Sequence, residues 1–164
     1  MSSRVITADT DGERAFRDAL ARFATGITVV TTPTLEGPMG FTANSFSSLS
    51  LDPPLVLWSP AKASQRYPFF AAAEHFAIHI LGQEQADWPR RFSRHGEGFA
   101  GLEWRTNAEG VPILPGAIAR FDCRRHAVHD GGDHLIIVGQ VLRLALEEGE
   151  PLVFAKGKYG SFTG

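Results

Sequence analysis

The chain has 164 residues, 43% of them hydrophobic and 21% charged, with a formal net charge of −2. That length suits one domain with its own core rather than two, and the charge gives no electrostatic footing for nucleic acid or an anionic membrane. A single cysteine, Cys123, excludes an intrachain disulfide framework and a cysteine-based metal cluster.

The N-terminal MSSRVITADTDGER lacks the apolar core of a signal peptide, and no apolar run reaches the length of a membrane span. A cytoplasmic protein of one domain, 1–164, is therefore expected, with residues 1–9 as a loose arm. Thr10 and Glu13 have the spacing of a capping box. Phe16, Leu20, Phe23 and Ala24 then recur at helical intervals up to Gly26, which predicts a short amphipathic helix laid on something apolar. Ile27–Thr32 is β-branched throughout and reads as a strand. Residues 33–38 read as the turn of a hairpin.

The next stretch, GFTANSFSSLSLDPPLV (40–56), has an unusual composition. Thr42, Asn44, Ser45, Ser47, Ser48 and Ser50 alternate with Phe41, Phe46, Leu49 and Leu51. A core strand would not carry so many hydroxyls, because each buried one must find a partner. The economical reading is a chain that packs on one side and presents hydroxyls, a carboxamide and amides on the other, so that something flat and polar can approach. A Ser/Thr-rich β-hairpin without a ligand accounts for the same residues.

Asp52-Pro53-Pro54 breaks the chain, and Leu55–Ser59 reads as a buried strand. Residues 60–64 form a turn, with Ser64 predicted to cap a helix running to about Ala73 and Pro68 in its first turn. His75–Leu81 is a strand and 84–94 a short polar helix or coil. The arginines at 90, 91 and 94 read as a solvated face. Residues 96–116, rich in glycine and proline, predict a long, partly mobile connection with at most one short strand near Leu102–Arg105. Ile118–Val128 and Leu135–Leu146 form a hairpin about the turn Asp130–Asp133. Six to eight strands joined by tight turns, with two or three short helices, favour a closed or split antiparallel barrel.

Several motifs are set aside. Gly96–Gly101 matches GxGxxG but lacks the preceding strand and following helix that a dinucleotide site needs. His75 and His79, four apart on a strand, lie about 13 Å from each other, too far to share a metal ion. No GxSxG occurs, and Cys123 reads as a buried structural thiol. Two features remain: a serine at a helix start flanked by Lys62 and Arg66, suited to a phosphate, and Asp133 beside His134, where a carboxylate can fix the imidazole tautomer.

With these pieces the chain resembles the flavin reductase family that supplies reduced flavin to two-component monooxygenases. The resemblance rests on FATGITVVTT, GFTANSFSSLSLDPPLVLWSPAKAS, FAIHIL, RRFSRHGEGFAGLEW, GDHLIIVGQV and KYGSF. It implies a mainly β fold, an antiparallel split barrel of the Greek-key, FMN-binding type. It also implies FMN or FAD as flavin, NADH or NADPH as hydride source, a homodimer and an oxygenase partner. Thr42, Ala43, Asn44, Ser45 and Ser47 would line the flavin ring. Ser59, Pro60, Ala61, Ser64 and Arg66 would lie near its phosphate, with Phe92 and Tyr159 close to the flavin and nicotinamide. His134 would be the catalytic histidine. A non-catalytic flavin-storage protein and a related split-barrel oxidase acting on another substrate are the alternatives.

Overall fold

In the computed structural model, which describes residues 2–164, the elements in chain order begin with α1 (Glu13–Leu20), β1 (Thr25–Gly26), β2 (Thr28–Thr34) and β3 (Gly37–Ala43). They continue with β4 (Ser47–Leu51), β5 (Pro54–Trp58), α2 (Tyr67–Ala72), β6 (His75–Ile80), a 3-10 turn (Gln83–Gln85) and α3 (Trp88–Arg91). Two short strands, β7 (Arg105–Thr106) and β8 (Pro112–Ile113), precede the long hairpin β9 (Ala119–Gly131) and β10 (His134–Leu146). The chain closes with β11 (Leu152–Ala155) and β12 (Lys158–Ser161).

Seven strands make one antiparallel sheet in the order β3-β2-β6-β9-β10-β5-β4. β3 and β4 follow each other in the chain yet lie at opposite edges, joined only by Asn44–Phe46. Ala43 to Ser47 spans at most about 14 Å, whereas the edges of a flat seven-stranded sheet would be about 29 Å apart. The sheet must therefore roll until its edges come within that reach. The result is a split barrel, with its seam at residues 44–46.

Phe41, Trp58 and Phe70 fill the interior beside that seam, with ring centroids 5.4–5.6 Å apart in edge-on pairs. Val30, Phe76, Ile78 and Ile137 pack on them. Gly139 leaves room for this packing, since a Cβ there would lie 2.7 Å from Phe76 Cζ. Three threonines of β2 are buried and each is satisfied: Thr28 donates to the Ala43 carbonyl (2.7 Å), Thr31 to Pro112 (2.6 Å) and Thr32 to His75 (3.0 Å). A second cluster, including Val29, Leu81, Phe92 and Leu152, ties the C-terminal strands to the barrel.

The long hairpin, the strand at 75–80 and the buried thiol agree with the sequence reading; burial pushes the Cys123 thiol up to about 12. Other details differ. The first helix starts at Glu13, and Asp9 Oδ1 accepts the Gly12 amide, so Thr10 caps nothing. Its apolar residues Phe16, Leu20 and Phe23 stay exposed instead of lying on the chain's own core. Residues 96–116 carry the β7–β8 hairpin, and Val111, Ile113 and Leu114 are buried, so this connection is packed. β11, β12 and their pairing with β1 escaped the sequence reading.

His79 is wholly buried. The Leu114 amide donates to Nε2 (3.0 Å), so Nδ1 carries the proton and donates to the Val29 carbonyl (3.0 Å). Burial drives this neutral imidazole from 6.5 down to about 4. Below its ordinary value the unfolded ring takes up a proton that the folded ring refuses until near pH 4, so stability falls as pH drops through that window. From about pH 7.5 to about pH 5 this linkage should remove about 2 kcal/mol of unfolding free energy, measured by urea titration. His79→Gln, less stable at neutral pH, should show a shallower decline, and equal slopes for the two proteins would contradict the assignment.

Candidate functional site

The seam draws together three stretches far apart in sequence. Ser45 Oγ accepts the Ser59 amide (2.9 Å) and donates to the Ser59 carbonyl (3.2 Å), which stitches the link 44–46 to the end of β5. The turn after β5 then lies along the start of β10. The Leu135 amide donates to Pro60 (3.1 Å) and the Lys62 amide to Asp133 (2.9 Å), with Ala61 and His134 facing each other. A Lys62–Asp130 ion pair holds the same turn to the hairpin.

His134 is half-buried, and its Nδ1 lies 2.8 Å from Asp133 Oδ1. The hydrogen bond from the imidazole keeps the Asp133 carboxyl below its ordinary range, so at neutral pH an anion fixes the ring with its proton on Nδ1. Nε2 makes no hydrogen bond among the described residues.

Beside this strip opens a cleft of about 1140 Å³, whose walls include Phe41 and Thr42 of β3, residues 63–66, residues 89–90 and 92–94, and Tyr159 of β12. Thr42 anchors the floor, donating from Oγ1 to Pro89 (2.7 Å) and from its amide to Phe92 (3.3 Å). Phe92 is buried against Gly40, where a Cβ would come within 2.3 Å of its ring, and meets Phe99 edge-on at 5.1 Å. Glycine at 40 is what lets the aromatic wall sit so close to the strand.

Of the residues singled out in the sequence, Thr42, Ser64, Arg66, Phe92 and Tyr159 line the cleft. Ser45, Ser59, Pro60, Ala61 and His134 form the adjoining strip, outside the cleft wall. Ala43 is buried, its carbonyl taken by Thr28, while Asn44 and Ser47 are exposed at the seam. Two roles change. Ser64 does not cap α2, which begins at Tyr67; its Oγ accepts the Arg66 amide (3.2 Å) in the turn before the helix. Arg66 spends its guanidinium on the carbonyls of Phe92 (2.5 Å) and Ser93 (2.6 Å), so it braces one cleft wall to the other. Arg91 acts likewise, holding Glu97, Gly98 and Ala100. Arg90, Arg94 and Gln65 also line the cleft. The sequence showed these two arginines as a basic run, but nothing in it set them apart from Arg91.

The donor set suits a ring system with a phosphate tail. Ala63 and Gln65 present amides without a partner among the described residues, and the Asn44 carboxamide is likewise unpaired. The cleft is roomy for one ligand, since typical small-molecule pockets run from about 300 to about 1,000 Å³.

A family model described as "Flavin reductase like domain" matches residues 20–163. The FMN reductase (NADH) SmoA of Agrobacterium fabrum is 55% identical over 162 residues, covering 99% of this chain and 93% of that protein. HsaB, the reductase subunit of a flavin-dependent monooxygenase from Rhodococcus jostii, is 40% identical over 94% of this chain and 80% of its own length. Among solved structures, the NADH:FAD oxidoreductase SgcE6 of Streptomyces globisporus superposes with a TM-score of 0.88 at 34% identity, covering 98% of both chains. Nitrilotriacetate monooxygenase component B from Mycobacterium thermoresistibile gives 0.88 at 41%, over 95% of this chain and 89% of that one.

Proposed function

This chain belongs to the flavin reductase-like family, and on that footing we propose that it transfers hydride from NADH or NADPH to FMN or FAD and supplies the reduced flavin to an oxygenase component. The observation that carries the reading is the juxtaposition at the seam: residues 42–47, turn 59–64 and the Asp133–His134 pair meet beside one large cleft. The names of the relatives support a flavin and nicotinamide pair, and those that are monooxygenase subunits support the oxygenase partner.

A flavin held in the cleft would supply the hydride acceptor, and a nicotinamide beside it the hydride. The chain needs no nucleophile for this; its task is to hold two rings in contact and exclude water. Thr42 and the buried Phe92 form the wall against which a ring rests. Asn44, Ser45 and Ser47 present small polar groups at the ring edge, next to the buried Ala43. Amides at Ala63 and Gln65, with Ser59, Pro60, Ala61 and Ser64 shaping the turn, receive a phosphate, and Arg66 keeps that turn fixed against Phe92. Tyr159 bounds the far side of the cleft, and burial holds its hydroxyl above the ordinary range, hence neutral. His134, with Nδ1 on Asp133, offers Nε2 as a hydrogen-bond partner for the nicotinamide carboxamide or the flavin.

The family relationship and the exposed apolar surface together support a homodimer. Leu142, Leu144 and Leu146 recur at alternate positions on β10, and Phe16, Leu20 and Phe23 on or next to α1, all without cover in the single chain. Alternate exposed leucines on a central strand are what a subunit contact would bury. Sedimentation at micromolar concentration should give twice the chain mass, and Leu144→Glu should shift it to the monomer. A wild-type protein that sediments only as monomer contradicts the dimer.

His134→Ala should lower kcat/KM for NAD(P)H by about 10- to 100-fold, about 1.4 to 2.7 kcal/mol, with flavin affinity nearly intact. Anaerobic stopped-flow flavin reduction beside a thermal melt decides the matter. A lowered melting temperature with unchanged reduction rate would make His134 structural.

A further inference from the structure

Arg66 and Arg91 are structural braces, as described above, whereas Arg90 and Arg94 are exposed and make no side-chain hydrogen bond or ion pair among the described residues. Both line the cleft. The end of α3 and the turn after it, which carry them, are held in shape. The Ser93 hydroxyl and amide both donate to the Arg90 carbonyl (2.6 and 3.2 Å), Gly96 donates to Ser93 (3.1 Å) and Gly98 to Arg91 (2.8 Å). No side chain is tolerated at Gly96, where a Cβ would lie 2.0 and 2.2 Å from the Arg91 and Arg90 carbonyl oxygens. On a chain of net charge −2, the cleft thus carries Arg66, Arg90 and Arg94 against the single carboxylate Glu36. Two unpaired guanidinium groups four residues apart on one fixed segment form a receptor for a multiply charged anion.

We propose that Arg90 and Arg94 bind the pyrophosphate of the nicotinamide dinucleotide that donates the hydride. The inference rests on the flavin reductase reading of the cleft. In that reading the free amides of Ala63 and Gln65, on the other wall, receive the phosphate of the flavin. A second anionic ligand then has the 89–94 wall to itself, in a cleft of 1140 Å³ with room for both. The two arginines are specificity-determining residues: they hold the donor by its linker, while hydride transfer proceeds at the rings.

The test uses Arg90→Gln, Arg94→Gln and the double variant, with initial rates of NADH oxidation at saturating FMN. The double variant should raise KM for NADH about tenfold or more with kcat within about twofold, as expected for loss of uniform binding. KM for reduced nicotinamide mononucleotide, which lacks the pyrophosphate, should change far less. Arg→Lys at both positions should restore part of the loss, and FMN affinity by fluorescence quenching should stay as in wild type. An unchanged KM for NADH in the double variant overturns the proposal. So does weakened FMN binding with unchanged KM, which would give the arginines to the flavin phosphate. A wild-type protein that does not oxidise NADH at all would instead overturn the underlying reading of the cleft.

Discussion

Everything in this structure depends on three residues, Asn44–Phe46, having to connect the two edges of a seven-stranded sheet. A link of that length cannot cross a flat sheet, so the sheet rolls and the seam becomes the place where backbone is least satisfied by neighbouring strands. Polar groups are needed there, and the sequence provides them. Ser45 closes the gap by exchanging two hydrogen bonds with Ser59, while Phe41 and Phe46 turn inward to the core. Over 41–46 the alternation of small polar and large apolar residues thus answers one geometric demand: it seals the barrel from within and leaves an open, hydrogen-bonding surface outside, whereas Leu49 and Leu51 farther along stay exposed.

That surface is made rigid by groups that would otherwise pass for ligand-binding residues. Arg66 reaches across the cleft to two carbonyls, and burial lowers its pKa, though a guanidinium stays charged at any physiological pH. Arg91 fastens the glycine-rich loop. Gly40 gives Phe92 its place. A site that works by stacking two rings gains from such fixation, because loss of contact geometry, more than loss of any one reactive group, slows hydride transfer. The dyad of Asp133 and His134 is held the same way, through backbone bonds between β10 and the Pro60–Lys62 turn.

Much of this was legible in the sequence because it is local. The β-branched run at 27–32, the Asp130–Asp133 turn and the polar rhythm of 41–51 each state their own conformation, and the strings around Thr42 and His134 carry the family resemblance. What was not legible depends on distant partners. β11 and β12 are short strands that become visible only when β1 pairs with Phe154 and Val153. Arg66 looks like a phosphate ligand until Phe92 and Ser93, 26 and 27 residues away, claim it. The α1 pattern predicts an apolar neighbour, but among the described residues Phe16, Leu20 and Phe23 stay exposed, because helical spacing states which face is apolar and not what covers it.

The central claim is that the cleft at the seam is where a nicotinamide donor reduces flavin. Mixing the wild-type protein with NADH, with and without free FMN or FAD, and following the nicotinamide absorbance tests it most directly. The account predicts rapid loss of that band only when protein and flavin are both present. Flavin binding without NADH oxidation, or oxidation at the same rate in the absence of added or bound flavin, would contradict it.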